Sequence, residues 1–160
     1  MIKQIDKAHI DECAQVIQRS FLTVAEEFHI TKENAPSYVV FAVGIDKLEK
    51  QLSSGRLMYA YFSANKIIGY YSLVLNGSKC EINNLCVLPE YRHSNIGKKL
   101  LEHAFEQAKE QGCAKIEISI VEENKKLKVW YEKFGFKTTY IKKYDFFPFT
   151  CGYMEKAIEL

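Results

Sequence analysis

Residues 87–101 read VLPEYRHSNIGKKLL. An apolar strand end runs into Pro89, a basic turn follows, and an amphipathic helix begins at once. A helix start offers unpaired backbone N–H groups and the positive end of the helix dipole, a combination that binds phosphate. Arg92, Lys98 and Lys99 add full positive charges, and Gly97 is the only glycine in the stretch. Neither G-x-G-x-x-G nor G-x-x-x-x-G-K-S/T is present, so the dinucleotide and P-loop fingerprints are excluded. An anion cradle and a solvated basic turn remain as readings of these residues.

The chain around it is ordinary for a globular protein. Its 160 residues fit one domain, 48% apolar and 26% charged. A net charge of +2 is too small for a general nucleic-acid binder. The five cysteines, Cys13, Cys80, Cys86, Cys113 and Cys151, are odd in number and include no CxxC, which argues against a disulfide framework or a zinc site. Free thiols in a reducing cytoplasm are expected. MIKQIDKAHIDEC at residues 1–13 has no apolar core of a secretion signal. The longest apolar run, YVVFAVGI at 38–45, falls far short of the ~20 residues of a membrane span. His9, His29 and His103 have no ligand spacing, so no metal is expected.

Periodicity supplies the elements. Residues 1–6 read as an edge strand. Ile10, Cys13, Ala14, Ile17 and Phe21 recur at helical spacing, predicting a helix over 9–21. Residues 22–37 read as a connection, and Ile45, Leu48 and Leu52 as a short helix ended by Ser53-Ser54-Gly55. LMYAYFS at 57–63, IIGYYSLVL at 67–75 and residues 79–88 are three strands. Turns at Ala64-Asn65-Lys66 and Asn76-Gly77 join them into an antiparallel meander. Ile96 to Ala108 form a helix with Gly112 at its C-terminal cap. AKIEISIV at 114–121 is a strand, parallel to the one before that helix. Residues 124–134 form a helix stopped by Gly135, and 136–144 and 150–158 are two last strands. The expected class is α/β or α+β with a mixed sheet.

With the elements in order, residues 92–97, Arg-His-Ser-Asn-Ile-Gly, resemble motif A of the GNAT N-acetyltransferase superfamily, Gln/Arg-x-x-Gly-x-Gly/Ala. Asn95 stands where the first glycine usually sits, and Asn tolerates a left-handed backbone better than other side chains. Residues 124–136, NKKLKVWYEKFGF, resemble the family's Asn-x-x-Ala-x-x-Phe/Trp-Tyr-x-x-x-Gly-Phe segment, with Leu127 in place of Ala. The order of elements also fits the family, so the resemblance covers nearly the whole chain.

The resemblance implies a GNAT fold, a mixed sheet of about six to seven strands flanked by about four helices. It also implies an acyltransferase that moves acetyl from acetyl-CoA to a primary amine in a ternary complex. Backbone groups of Leu85, Cys86 and Val87 are then expected along the pantetheine arm. The amides of Arg92, His93, Ser94, Asn95, Ile96, Gly97 and Lys98 are expected on the pyrophosphate, and Asn124 on the pantetheine arm. Tyr131 matches the family's acid for the departing thiolate. Glu81, eleven residues before Arg92, matches a strand glutamate used as base in some members, with water as the alternative base. A Cys86–His93 acyl-enzyme pair lacks an orienting carboxylate.

On the acceptor side, aromatics of 21–41 and 144–150 are expected to flank the cleft mouth. Phe28, Glu27 and Phe146 are the substrate candidates, a lining suited to a small cationic amine. The acceptor is expected to be a small molecule. A protein or peptide amine and a non-catalytic acyl-CoA-binding module are the alternatives. A homodimer is compatible with the resemblance.

Overall fold

The computed structural model describes residues 1–159. Seven strands form one sheet in the order β1-β2-β3-β4-β5-β7-β6. They are β1 (Ile2–Gln4), β2 (Leu57–Ser63), β3 (Lys66–Asn76), β4 (Lys79–Val87), β5 (Lys115–Val121), β6 (Lys137–Lys143) and β7 (Thr150–Ala157). Five helices accompany them: α1 (Ile10–Glu27), α2 (Val39–Ala42), α3 (Ile45–Ser53), α4 (Ile96–Glu110) and α5 (Lys125–Lys133). All strand pairs are antiparallel except β4 with β5. The α/β class with a mixed central sheet therefore holds.

The meander follows from its turns. Ala64 and Asn65 both adopt positive φ, 48° and 66°, the twist a two-residue hairpin needs. Helix α4 crosses back over the sheet and makes β5 parallel to β4. It lies close because Gly69 of β3 has no side chain. A Cβ there would stand 2.9 Å from Leu100 Cδ1 and 3.2 Å from the Cys86 carbonyl oxygen. Glycine thus sets how near the start of α4 sits to the end of β4.

Helix α1 runs six residues beyond Phe21, to Glu27. Val24 and Ala25 continue the apolar spacing, and nothing in 22–27 breaks it; Ala25 is buried. The extra turns carry α1 to a second apolar cluster, separate from the main core. Ala25, Ile30, Ala35 and Tyr38 there pack with Val121, Phe149 and Cys151, and Phe28, Phe41, Tyr144 and Phe147 join them. The expected connection is thus part helix and part packed loop.

Strand β6 closes one edge of the sheet with all seven residues exposed. Lys137, Lys142 and Lys143 there discourage another strand from pairing. Among the described residues no helix is long and apolar enough to cross a membrane.

Candidate functional site

The site lies where β4 and β5 part. The two strands pair only over Lys79–Glu81 and Lys115–Glu117. The cause sits on β4. Tyr70 faces Cys86 and Ser72 faces Asn83, so β4 carries one residue more than β3 between these pairs. Asn84, at φ 57°, absorbs it as a bulge that bends the strand. Beyond it β4 stays with β3 as far as Val87, and β5 stays with β7 as far as Val121. The strands diverge and leave backbone facing a cavity of about 210 Å³.

Ile82–Leu85 form one wall and Ile118–Val121 the other. Phe21, Tyr38, Phe147 and Phe149 enclose it, and Tyr131 of α5 reaches in. Two larger open hollows lie elsewhere, about 750 Å³ over α4, β6 and β7 and about 920 Å³ between α1 and α3. Neither contains an expected site residue, so the smaller cavity is the chemical candidate.

Tyr131 is buried, edge-on to Trp130 at 5.0 Å and to Phe136 at 5.4 Å. Burial, and then the neighbouring Cys86, push its hydroxyl above the ordinary phenol range. It is therefore a proton donor and not a base near neutrality. Cys86 is buried too, and burial pushes its thiol up to about 12, with Ser20 and Arg92 opposing. A thiol so raised is a poor nucleophile. His93 is exposed and makes no hydrogen bond with Cys86, so no acyl-enzyme pair forms.

The turn after β4 is braced against α1. Glu90 accepts a forked pair from Arg19 at 2.8 and 3.1 Å. Arg92 turns inward. Its Nε donates to the Val87 carbonyl at 3.1 Å, and its guanidinium nitrogens donate to Thr23 Oγ1 at 3.0 Å and the Ser20 carbonyl at 2.8 Å. The Arg92 amide donates to the Pro89 carbonyl. Arg92 thus braces the turn against α1 and the end of β4. His93 and Asn95 both adopt left-handed backbone, φ 67° and 65°. The Asn95 value agrees with its place at the family's glycine position.

From residue 93 to residue 98, no amide donates to another group among the described residues. Helix α4 has no acidic residue in its first turn and no side-chain cap. Ser94 Oγ is spent on the Tyr91 carbonyl, and Lys98 lies 3.8 Å from Glu102. Gly97 sits against Trp130, where a Cβ would stand 3.5 Å from the indole ring.

The other helix start is filled. Asn124 caps α5, its side chain accepting from the Leu127 amide at 3.3 Å. Glu122 takes Lys125 at 3.4 Å and Lys128 more closely. Burial pushes its carboxyl up, but the two lysines outweigh that and hold it below the ordinary 4.5. Its Oε2 lies over Gly152, where a Cβ would come within 2.2 Å. Glu123 accepts the Thr150 amide at 3.0 and 3.1 Å and ties down the loop before β7. Neither glutamate was among the expected site residues. The pattern Glu122-Glu123-Asn124-Lys125, acids just ahead of a cap and lysines just after, is the signal that marks them.

Several expected residues stand outside the cavity. Glu81 lies in the paired part of β4, one residue before the wall begins. Burial and then Glu117 push its carboxyl up, with Arg56 opposing. Phe28 packs within the second cluster, Glu27 is exposed at the end of α1, and Phe146 is 56% exposed. None of the three lines the cavity. Phe28 and Phe146 satisfy neighbouring aromatics instead, Phe146 lying 5.0 Å from Tyr144 and 4.8 Å from Phe147.

Comparison with known proteins places this geometry. The Thermoplasma acidophilum PaiA N-acetyltransferase, solved in complex with coenzyme A, superposes with a TM-score of 0.83 at 23% identity over 98% of both chains. The ribosomal-protein-S18-alanine N-acetyltransferase of Escherichia coli superposes with a TM-score of 0.80 at 15% identity, over 100% of this chain and 94% of that one. In sequence, the spermidine N(1)-acetyltransferase of T. acidophilum is 31% identical over 103 residues, 64% of this chain and 60% of that protein. The ribosomal protein bS18-alanine N-acetyltransferase of Haemophilus influenzae is 31% identical over 94 residues, 59% of this chain and 63% of that protein. The aligned stretch thus spans under two thirds of either relative. The family profile itself matches residues 18–136, from within α1, through the open turn and the cavity walls, to the end of the Tyr131 segment. On that match, the chain belongs to the acetyltransferase (GNAT) family.

Proposed function

We propose that the protein is an acetyl-CoA-dependent N-acetyltransferase acting on a primary amine, within one domain over residues 1–160. The observation that carries this is a shared strand. Strand β4 walls the cavity that Tyr131 also lines and runs on to the turn whose amides, 93–98, have no acceptor among the described residues.

The residues suit the cosubstrate. Amides 93–98 and the α4 dipole would hold the pyrophosphate of coenzyme A. The β4 backbone at Leu85, Cys86 and Val87, beyond the pairing with β5, would hold the pantetheine arm. Asn124 has spent its side-chain oxygen on its own helix, which leaves its amide nitrogen for that arm. Acetyl-CoA supplies the activated acyl group. The amine nitrogen attacks the thioester carbonyl, and a β4 amide donates to the developing oxyanion. The C–S bond breaks, and the thiolate takes the Tyr131 proton. The amine proton leaves to water, and solvent reprotonates Tyr131. Glu81 is a base only through intervening water, because it does not line the cavity.

The small cavity and its aromatic cover favour a compact acceptor over a folded protein surface. The similar proteins named for spermidine and for a ribosomal protein alanine represent the two acceptor kinds. Five buried, free cysteines fit a reducing compartment such as the cytoplasm.

Thiol release from acetyl-CoA tests the reading. Tyr131→Phe should lower kcat about 100-fold, with coenzyme A still raising Tm as in the parent. An unchanged kcat rejects the acid role, and no Tm shift with coenzyme A in the parent protein rejects the assignment.

A further inference from the structure

The acceptor end of the cavity carries no charge. Phe21, Tyr38, Val39, Phe147, Phe149 and Cys151 form it. Among the described residues, no Asp, Glu, His, Lys or Arg side chain lines any part of the cavity. The nearest carboxylates by chain position are spent or in water. Glu122 holds two lysines, Glu123 holds the Thr150 amide, and Glu26, Glu27 and Asp145 are exposed.

On the acetyltransferase reading above, we infer that the acceptor is a weakly basic α-amine, an amino group beside a carbonyl, with an apolar substituent, and not a polyamine or other alkylamine. An ammonium entering this cavity gives up its hydration and meets no carboxylate. It must shed its proton outside. The ionisable groups that face the cavity cannot take it. Burial pushes the hydroxyls of Tyr38 and Tyr131 and the thiol of Cys151 upward, so all three are protonated near neutrality. The acceptor's own pKa then decides. An α-amine titrates near 7.8 and an alkylamine near 10.4, so at pH 7 the neutral fraction differs by roughly 300-fold. The lower nucleophilicity of the α-amine returns part of that advantage. A polyamine carries further ammonium groups that need counter-charges, and the walls offer none.

The chemistry is shared by a free amino-acid amide and a peptide N-terminus. Thiol release would be measured with phenylalanine amide, a pentapeptide beginning with Phe, phenethylamine and spermidine, at about pH 7 and about pH 9.5. Phenylalanine amide and phenethylamine share the ring and differ at the amine. The expected result is a kcat/KM at least about 10-fold higher for an α-amine than for phenethylamine or spermidine near neutrality, narrowing at the higher pH. Turnover of phenylalanine amide identifies a free amino-acid derivative as sufficient. Turnover of the pentapeptide alone identifies a peptide terminus. Phenethylamine or spermidine equal to or above both α-amines near neutrality overturns the inference. Coenzyme A protection without α-amine turnover also overturns it and leaves the acetyltransferase reading standing. Absence of both protection and turnover overturns that reading and the inference together.

Discussion

Two strand-to-helix junctions sit side by side in this protein and are finished in opposite ways. Helix α5 begins with its own anion and its own cap. Glu122 sits over Gly152 with Lys125 and Lys128 against it, and Asn124 takes the Leu127 amide. Helix α4 begins with neither, and the chain holds it open. Arg92 and Glu90 brace the turn to α1, two left-handed residues shape it, and amides 93–98 are left without acceptors. A helix start is therefore not a site by itself. It becomes one where the fold anchors the loop and withholds the cap.

The largest effect should come from closing the open start. Gly97→Asp puts a carboxylate in the first turn of α4, where its Cβ meets Trp130 only at ordinary contact distance. Coenzyme A affinity, read by calorimetry, should fall about 100-fold, the size of a like-charge contact near a surface. Stability without ligand should hold or rise by up to about 1 kcal/mol, because an acid there suits the dipole. Unchanged affinity would mean that the anion sits elsewhere.

Emptying the filled start should act on stability instead. Glu122→Gln leaves Lys128 without its partner and should lower stability by about 2 kcal/mol. That is a Tm fall of roughly 4–8 °C with coenzyme A affinity nearly constant. The pH dependence has a defined sign. The Glu122 carboxyl is held below 4.5 in the folded protein, so its contribution is complete above that value. It is lost as pH falls through the folded value. The gap between parent and variant, followed by urea melts, should therefore close in acid and stay constant above it. A gap that persists in acid would mean that Glu122 acts by shape and not by charge.

The smallest effect belongs to the turn itself. Asn95→Gly relieves a left-handed residue at φ 65° but adds unfolded-state freedom. A Tm change within about 2 °C and a twofold change in coenzyme A affinity at most are expected, because the two terms nearly cancel. A larger loss would show that the Asn95 side chain holds the turn.

Much of this was legible in the chain. Period-two runs and their Asn-Gly and Ala-Asn turns revealed the meander, and helical spacing revealed α3, α4 and α5. The two motif segments marked both junctions. What local pattern cannot carry is which distant segments meet. The aromatics of 28–41 pack on those of 144–149, so Phe28, Phe41 and Tyr144 are taken into that packing while Tyr38, Phe147 and Phe149 line the cleft. Arg92 reads as a free cation until α1 supplies Ser20 and Thr23 as acceptors. The bulge at Asn84 had only Asn83-Asn84 as a cue, yet it opens the cavity and leaves Glu81 behind in the paired strand.

The most direct measurement is a titration of the amide-labelled protein with coenzyme A, followed by backbone NMR. The account predicts the largest shifts at residues 93–98, smaller ones at 83–87, and little change at 125–127. Shifts centred on the start of α5, or spread without preference for the open turn, would contradict it.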